Sequence, residues 1–206
     1  MWTIVVAGGA GERFGAPKQY EPLHDGRRVI DVSREVAERA SDGVIVVVPA
    51  ADAEREHGIA GGATRSESVR CGLAAVPADA TIICVHDAAR PLASAELYER
   101  VVAAVRDGAD GAVPGVPVTD TIKVVDDGAV TATLDRATLV AVQTPQAFRA
   151  AILRAAHEGH GAATDDAALV EALGGNVVVV AGEPANRKIT EIDDLEWARR
   201  TLGASP

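Results

Sequence analysis

The stretch TIVVAGGAGERFGAPKQY, residues 3–20, decides the fold. Thr3 to Val6 have the β-branched, apolar make-up of a buried strand, and glycines follow at positions 8, 9, 11 and 15. A glycine turn leaving the C-terminal end of a first strand is where open α/β sheets bind ligands. The two commonest phosphate-loop patterns both fail here. Phe14 stands where a G-x-G-x-x-G fingerprint begun at Gly9 needs its third glycine, and no acidic residue ends the next apolar run to hold a ribose. Lys18 follows Pro17, and Gln19 stands where a Walker loop needs Ser or Thr. What remains is G-x-G-x-R followed by Pro-Lys. Small residues let backbone N–H groups approach oxyanions, and Arg13 and Lys18 add positive charge. Alone, such a loop also reads as a surface turn with solvated charges.

Outward from this loop, β-branched runs alternate with amphipathic stretches. Residues 3–7, 43–50, 81–86, 111–116 and 176–182 read as strands whose continuous apolarity suits a sheet covered on both faces. Helix patterns fall at 29–40, 66–76, 94–108, 165–173 and 191–202, with Ser66 and Ser94 as N-caps. Val29, Val32, Val36 and Ala40 make one apolar stripe. The alternation predicts an α/β fold, a three-layer Rossmann-like build with a mainly parallel sheet. Residues 121–135 break it with period-2 runs around Asp127-Gly128, a hairpin signal. An isolated hairpin is marginal in water, so this one is expected to pack on something, a second subunit being the expected partner.

The 206 residues carry a formal net charge of −10, which argues against nucleic-acid or anionic-membrane binding. No signal peptide or membrane-length apolar run is visible, and Cys71 and Cys84 read as small buried hydrophobes, so a cytoplasmic location is expected. Only three of the 20 basic residues are lysines, Lys18, Lys123 and Lys188, and the first and last sit in site-like stretches, APKQY and NRKIT. His86-Asp87-Ala88-Ala89-Arg90-Pro91 follows the third strand at the ligand-binding edge, although Asp87 and Arg90 could equally form a surface pair. His86 alone reads as a structural histidine. GGATRSES, residues 61–68, adds a glycine turn, an Arg and a helix N-terminus that favours anions. The adjacent acids Asp165-Asp166 and Asp193-Asp194 suit early helical turns, and no Asp-x-Asp metal motif of a glycosyltransferase is present.

Taken in order, AGGAGERFGAPKQY, GGATRSESV, HDAARP, VTDTIK, LDR, QTPQAF, TDDA and NRKIT make the chain resemble the 2-C-methyl-D-erythritol 4-phosphate cytidylyltransferase family nearly end to end. HDAARP and QTPQAF together are specific. The resemblance implies transfer of CMP from CTP to a polyol phosphate, with release of pyrophosphate and Mg²⁺ as cofactor carried by the CTP phosphates rather than by protein ligands. It implies one domain over 1–206, with 117–140 as a β-hairpin arm for homodimerisation. Ala7, Gly8, Gly9 and Gly11 would hold the triphosphate, and Gly62, Arg65 and Ser68 would border cytosine and ribose. Arg13 and Lys18 would stabilise the reacting α-phosphate. Asp87, Arg90, Thr121, Thr144 and Thr164 would line the polyol side, and Arg136 and Lys188 would position its phosphate. Arg136 and Thr121 would serve the neighbour's site.

The Gly8-Gly9 pair departs from the family's more usual Ala-Gly and matches the sister group that makes CDP-ribitol, the alternative substrate reading. The gap from Arg13 to Pro17 is short, and Arg187 beside Lys188 is less typical. HDAARP and TDTIK fit the methylerythritol enzymes better. A nucleotide sensor without catalysis would keep the glycine loops but could dispense with Lys18 and Lys188. Since the sequence ends shortly after WARRTLG, the second enzyme domain found fused in related proteins is not expected here.

Overall fold

The computed structural model describes residues 1–9, 14–24, 26–158 and 165–203. In chain order the elements are β1 (Trp2–Val6), α1 (Val29–Ala40), β2 (Gly43–Val48), β3 (Ile59–Ala60), α2 (Arg65–Ala75), β4 (Ile82–Asp87), α3 (Ala95–Arg106) and β5 (Gly111–Pro117). There follow β6 (Lys123–Asp126), β7 (Ala129–Thr133), β8 (Val140–Val142), β9 (Gln146–Arg149), α4 (Ala150–Glu158), α5 (Asp166–Ala172), β10 (Val177–Ala181) and α6 (Ile192–Gly203). The main sheet runs β10-β5-β9-β4-β1-β2-β3, with β8 paired to β5. β1 lies parallel between β2 and β4, so its C-terminal loop opens at the centre of the sheet.

Alternation of side chains along β1 explains the three layers. Val5, with Val46 and Val48, joins the core under α1 and α3. Ile4 and Val47 face the opposite way, into the core shared with α2, α4 and α5. β1 and β4 are enclosed with a core on either face, whereas β10, expected to be covered on both faces, lies at the sheet edge and stays partly open, with Val179 56% exposed. A smaller cluster, including Phe14, Leu23, Ile189 and Leu195, seats α6 against the segment that carries Lys18.

The sheet is mainly parallel as expected, but one strand went unread and two expectations need correction. The sheet contains an antiparallel strand at its centre: β9 pairs antiparallel with both β4 and β5, and β8 adds a second to β5. Pro145 and the short span hid β9 from a periodicity reading, and the following α4 went unrecognised with it. Helix α2 is capped by Thr64 rather than Ser66. The Thr64 hydroxyl accepts from the Glu67 N–H at 3.1 Å, and the Glu67 carboxylate accepts from the Thr64 N–H at 3.0 Å, a complete capping box. Asp87 and Arg90 form no surface pair; each is engaged elsewhere, as the site geometry shows.

The hairpin forms as its turn residues require. Asp127 and Gly128 both have positive φ, 44° and 77°, the backbone of a two-residue turn matched to strand twist. Val125 and Val130 are 57% and 61% exposed on it. Cys84 is buried in β4 and Cys71 half-buried in α2, both unbridged, and burial pushes the Cys84 thiol up to about 12. Among the described residues, no helix is long and apolar enough to cross a membrane.

Candidate active site

The loops after β1, β3 and β4 converge on a cleft of about 490 Å³. Ala7, Gly8 and Gly9 form one wall, where Ala7 extends the β1 pairing by donating to the Val47 carbonyl at 2.7 Å. Gly62 and Ser68 line the cleft as well, with Ser68 Oγ close beside Gly8. A Cβ on Gly62 would overlap that of Glu67, so the capping box leaves room only for glycine there. The Ser68 hydroxyl turns back to the Thr64 carbonyl at 3.0 Å, fixing the loop to the first turn of α2.

Asp87 ends β4 at the floor of the cleft and organises its cations. One carboxylate oxygen accepts from Arg65 Nε at 3.1 Å and the other from Lys188 Nζ at 2.6 Å. Burial alone would raise the Asp87 carboxyl, but Arg65 and Lys188 outweigh it and hold the group well below the usual carboxylate range. Arg65 reaches past Asp87 to Asp166, to which Nη1 donates at 2.8 Å. With Lys18, the described lining residues bring three cations and one carboxylate into the cleft of a chain whose net charge is −10.

Each cation rests on a braced support. Lys18 and Gln19 sit in a short turn, Lys18–Tyr20, after Pro17. Tyr20 ties that turn down: its hydroxyl donates to Asp52 at 2.7 Å, and its ring centroid lies 4.7 Å from the Arg55 guanidinium carbon. Lys188 follows Asn186, which is fully buried and donates to the Thr144 carbonyl at 2.8 Å. Gln143 bonds both the Glu183 carbonyl and the Glu183 N–H.

Thr144 lies beneath the cleft. Its hydroxyl accepts from the Asp87 N–H at 3.0 Å and lies 3.2 Å from His86 Nδ1. His86 Nε2 faces the Arg90 carbonyl at 3.2 Å; a carbonyl only accepts, so that nitrogen carries the proton and Nδ1 accepts from Thr144. Burial pushes the imidazole down to about 4, leaving a neutral brace rather than a base. The folded state thus resists a proton that the unfolded chain accepts near pH 6.5. Stability should therefore fall as pH drops from 6.5 to about 4, by at most about 3 kcal/mol. Urea unfolding at pH 7 and pH 4 should show His86→Gln losing less stability than wild type across this window. Equal losses would contradict the buried neutral imidazole.

Nine of the sequence-derived residues line the cleft: Ala7, Gly8, Gly9, Lys18, Gly62, Arg65, Ser68, Asp87 and Lys188. Thr144 and Arg90 stand just outside, Arg90 donating to the Asn186 carbonyl at 2.9 Å and the Val142 carbonyl at 3.3 Å. Thr121 and Arg136 are exposed on the arm and do not line this cleft, and Arg136 donates to the Thr119 carbonyl at 2.6 Å. Gly11, Arg13 and Thr164 lie outside the described residues. Gln19 escaped the sequence reading although it lines the cleft: it is buried, and its Nε2 has no hydrogen-bond partner among the described residues. Asn186, Asp166 and His157 escaped too. Only the place of Asn186 in NRKIT, two residues before Lys188, and of Asp166 within TDDA hinted at the first two. Among the described residues, no three His, Cys, Asp or Glu side chains cluster as metal ligands.

Comparison with known proteins joins this geometry to a family. The sequence model described as IspD, 2-C-methyl-D-erythritol 4-phosphate cytidylyltransferase, matches residues 1–204. A cytidylyltransferase of that name from Nocardia farcinica is 45% identical, with 97% of this chain and 93% of the relative covered. A bifunctional IspD/IspF enzyme from Nitratidesulfovibrio vulgaris is 43% identical over 94% of this chain, which spans only 56% of that relative's length. The crystal structure of the 4-diphosphocytidyl-2C-methyl-D-erythritol synthase from Anaerococcus prevotii superposes with a TM-score of 0.85 at 29% identity, covering 98% of this chain and 97% of that one. The Thermus thermophilus cytidylyltransferase gives 0.83 at 33% identity, with 98% of each chain covered. The glycine loop, the Asp87-centred cations and these relatives agree: the chain belongs to the 2-C-methyl-D-erythritol 4-phosphate cytidylyltransferase family.

Proposed function

We propose that the protein transfers CMP from CTP to 2-C-methyl-D-erythritol 4-phosphate, giving 4-diphosphocytidyl-2-C-methyl-D-erythritol and pyrophosphate, in non-mevalonate isoprenoid biosynthesis. The observation that carries this reading is the meeting of a glycine loop with Lys18, Arg65 and Lys188 in one cleft, in a chain of this family. An oxygen of the acceptor's phosphate forms a bond to the CTP α-phosphorus, and the bond from that phosphorus to the pyrophosphate oxygen breaks. A phosphate monoester has its second pKa near about 6, so the nucleophile is largely dianionic at neutral pH and needs no general base. His86, buried and neutral, is not asked to be one.

The remaining task is to bring two polyanions together, and the cations do it. Lys18, with Arg13 earlier in the same glycine-rich stretch of sequence, stabilises charge at the α-phosphate. Lys188, held by Asp87, orients the acceptor's phosphate. Gly62, Arg65 and Ser68 border the nucleoside. Asp87 is the only carboxylate among the described lining residues and is already paired twice, so Mg²⁺ fits best as an ion held by the nucleotide phosphates. There it would neutralise phosphate charge. The exposed valines of the arm suit burial against a second copy of the chain, with Thr121 and Arg136 delivered to the neighbour's cleft. The protein works in the cytoplasm.

Phosphorus NMR of a reaction with CTP, Mg²⁺ and methylerythritol 4-phosphate tests the proposal. New diphosphodiester resonances should appear together with pyrophosphate. Protection of the fold by CTP without either product would instead identify a nucleotide sensor.

A further inference from the structure

Asp166 lies in the first turn of α5, 1% exposed, with both oxygens engaged. One accepts from Arg65 Nη1 at 2.8 Å and the other from His157 Nε2 at 3.0 Å. The neighbouring Asp165 accounts for the helix start, its side chain accepting from the Ala168 N–H at 3.1 Å. Capping therefore does not explain why a second, buried carboxylate follows it. A buried charge is costly unless paired and hydrogen-bonded, and the partner Asp166 takes is a guanidinium that lines the nucleotide cleft.

The result is a row of alternating charges: Asp166, Arg65, Asp87, Lys188. Within it each carboxylate oxygen of Asp87 serves one cation only. An Arg guanidinium left to itself favours a two-pronged grip on a carboxylate. Arg65 meets Asp87 through Nε on one oxygen, while its Nη1, on the far edge of the guanidinium, is held by Asp166. We infer that Asp166, braced from behind by His157, is a positioning residue of the cleft: it draws Arg65 to one side so that Asp87 keeps an oxygen for Lys188. Asp166 does not line the cleft, so it acts through Arg65 and Asp87.

The inference builds on the proposed reading of Arg65 as a nucleotide-binding residue, and its test separates the two. In Asp166→Asn one acceptor oxygen becomes an NH₂ group, which must confront an N–H of either Arg65 or His157. Calorimetry should find CTP bound about tenfold more weakly, the scale of one lost charge-assisted hydrogen bond. In an Arg65→Ala background the same substitution should change CTP binding no further. An equal loss in both backgrounds would mark Asp166 as merely structural and overturn the inference. His157→Gln, which keeps an N–H near Nε2, should bind CTP nearly as wild type, whereas His157→Leu should resemble Asp166→Asn. These variants carry the test should Asp166→Asn not fold.

A crystal structure of Asp166→Asn, or of His157→Leu in its place, decides independently of any nucleotide. Arg65 gripping both Asp87 oxygens, with Lys188 displaced, supports the inference; Arg65 and Lys188 unmoved overturn it. Wild-type protein that binds no CTP would overturn the nucleotide reading while leaving this structural outcome to judge the positioning.

Discussion

Lys18→Ala should lower turnover from CTP by about 10²–10³, the loss typical of removing one fixed electrostatic stabiliser from a reacting centre. Charge builds on the α-phosphate oxygens as the phosphorus becomes five-coordinate, and a fixed cation stabilises that state more than the ground state. Lys18 is built for this by its support: Pro17 precedes its turn, and Tyr20, two residues on, is tied to Asp52 and covered by Arg55. The loss should therefore fall mainly on kcat, with the KM for CTP changed less. Steady-state kinetics under saturating Mg²⁺ make the check. Turnover within a fewfold of wild type would remove Lys18 from the chemistry.

Mixing two inactive variants should restore activity if the arm works in a partner's cleft. Arg136→Ala disables the arm and Lys18→Ala the cleft, so each homodimer is expected to be nearly inactive. Subunits that exchange give about half mixed dimers, each with one cleft combining an intact Lys18 and an intact arm. Activity should then return to about a quarter of wild type. The expectation rests on Arg136 and Thr121 being exposed on the hairpin, apart from the cleft of their own chain. No recovery after verified subunit exchange would place Arg136 outside the partner's site.

The strand before the glycine loop shows how far sequence alone reached. Its β-branched run, followed at once by glycines, located both the centre of the sheet and one wall of the cleft. Parallel strands rich in β-branched residues leave a continuous apolar run, so β1, β2, β4, β5 and β10 were legible, while the two-residue β3, parallel to β2, was not. β9 was not: four residues after Thr144-Pro145 carry too little periodicity to show a strand, much less an antiparallel one between two parallel neighbours. Asp87 was legible as a residue at the ligand-binding edge, but its partners were not. Arg65 and Lys188 lie 22 and 101 positions away in the chain, and only folding brings both to one carboxylate. The same holds for Asp166, whose role as a helix-start acid was visible while its bond to Arg65 was not. Gln19, next to Lys18, was read only as a residue that spoils a Walker loop; its burial against the cleft comes from the tertiary fold.

The identity of the acceptor is decided by pyrophosphate release from CTP with Mg²⁺, measured with methylerythritol 4-phosphate and ribitol 5-phosphate in parallel. The methylerythritol assignment requires rapid release with methylerythritol 4-phosphate and little with ribitol 5-phosphate. Release with ribitol 5-phosphate alone, or with neither acceptor, would contradict it.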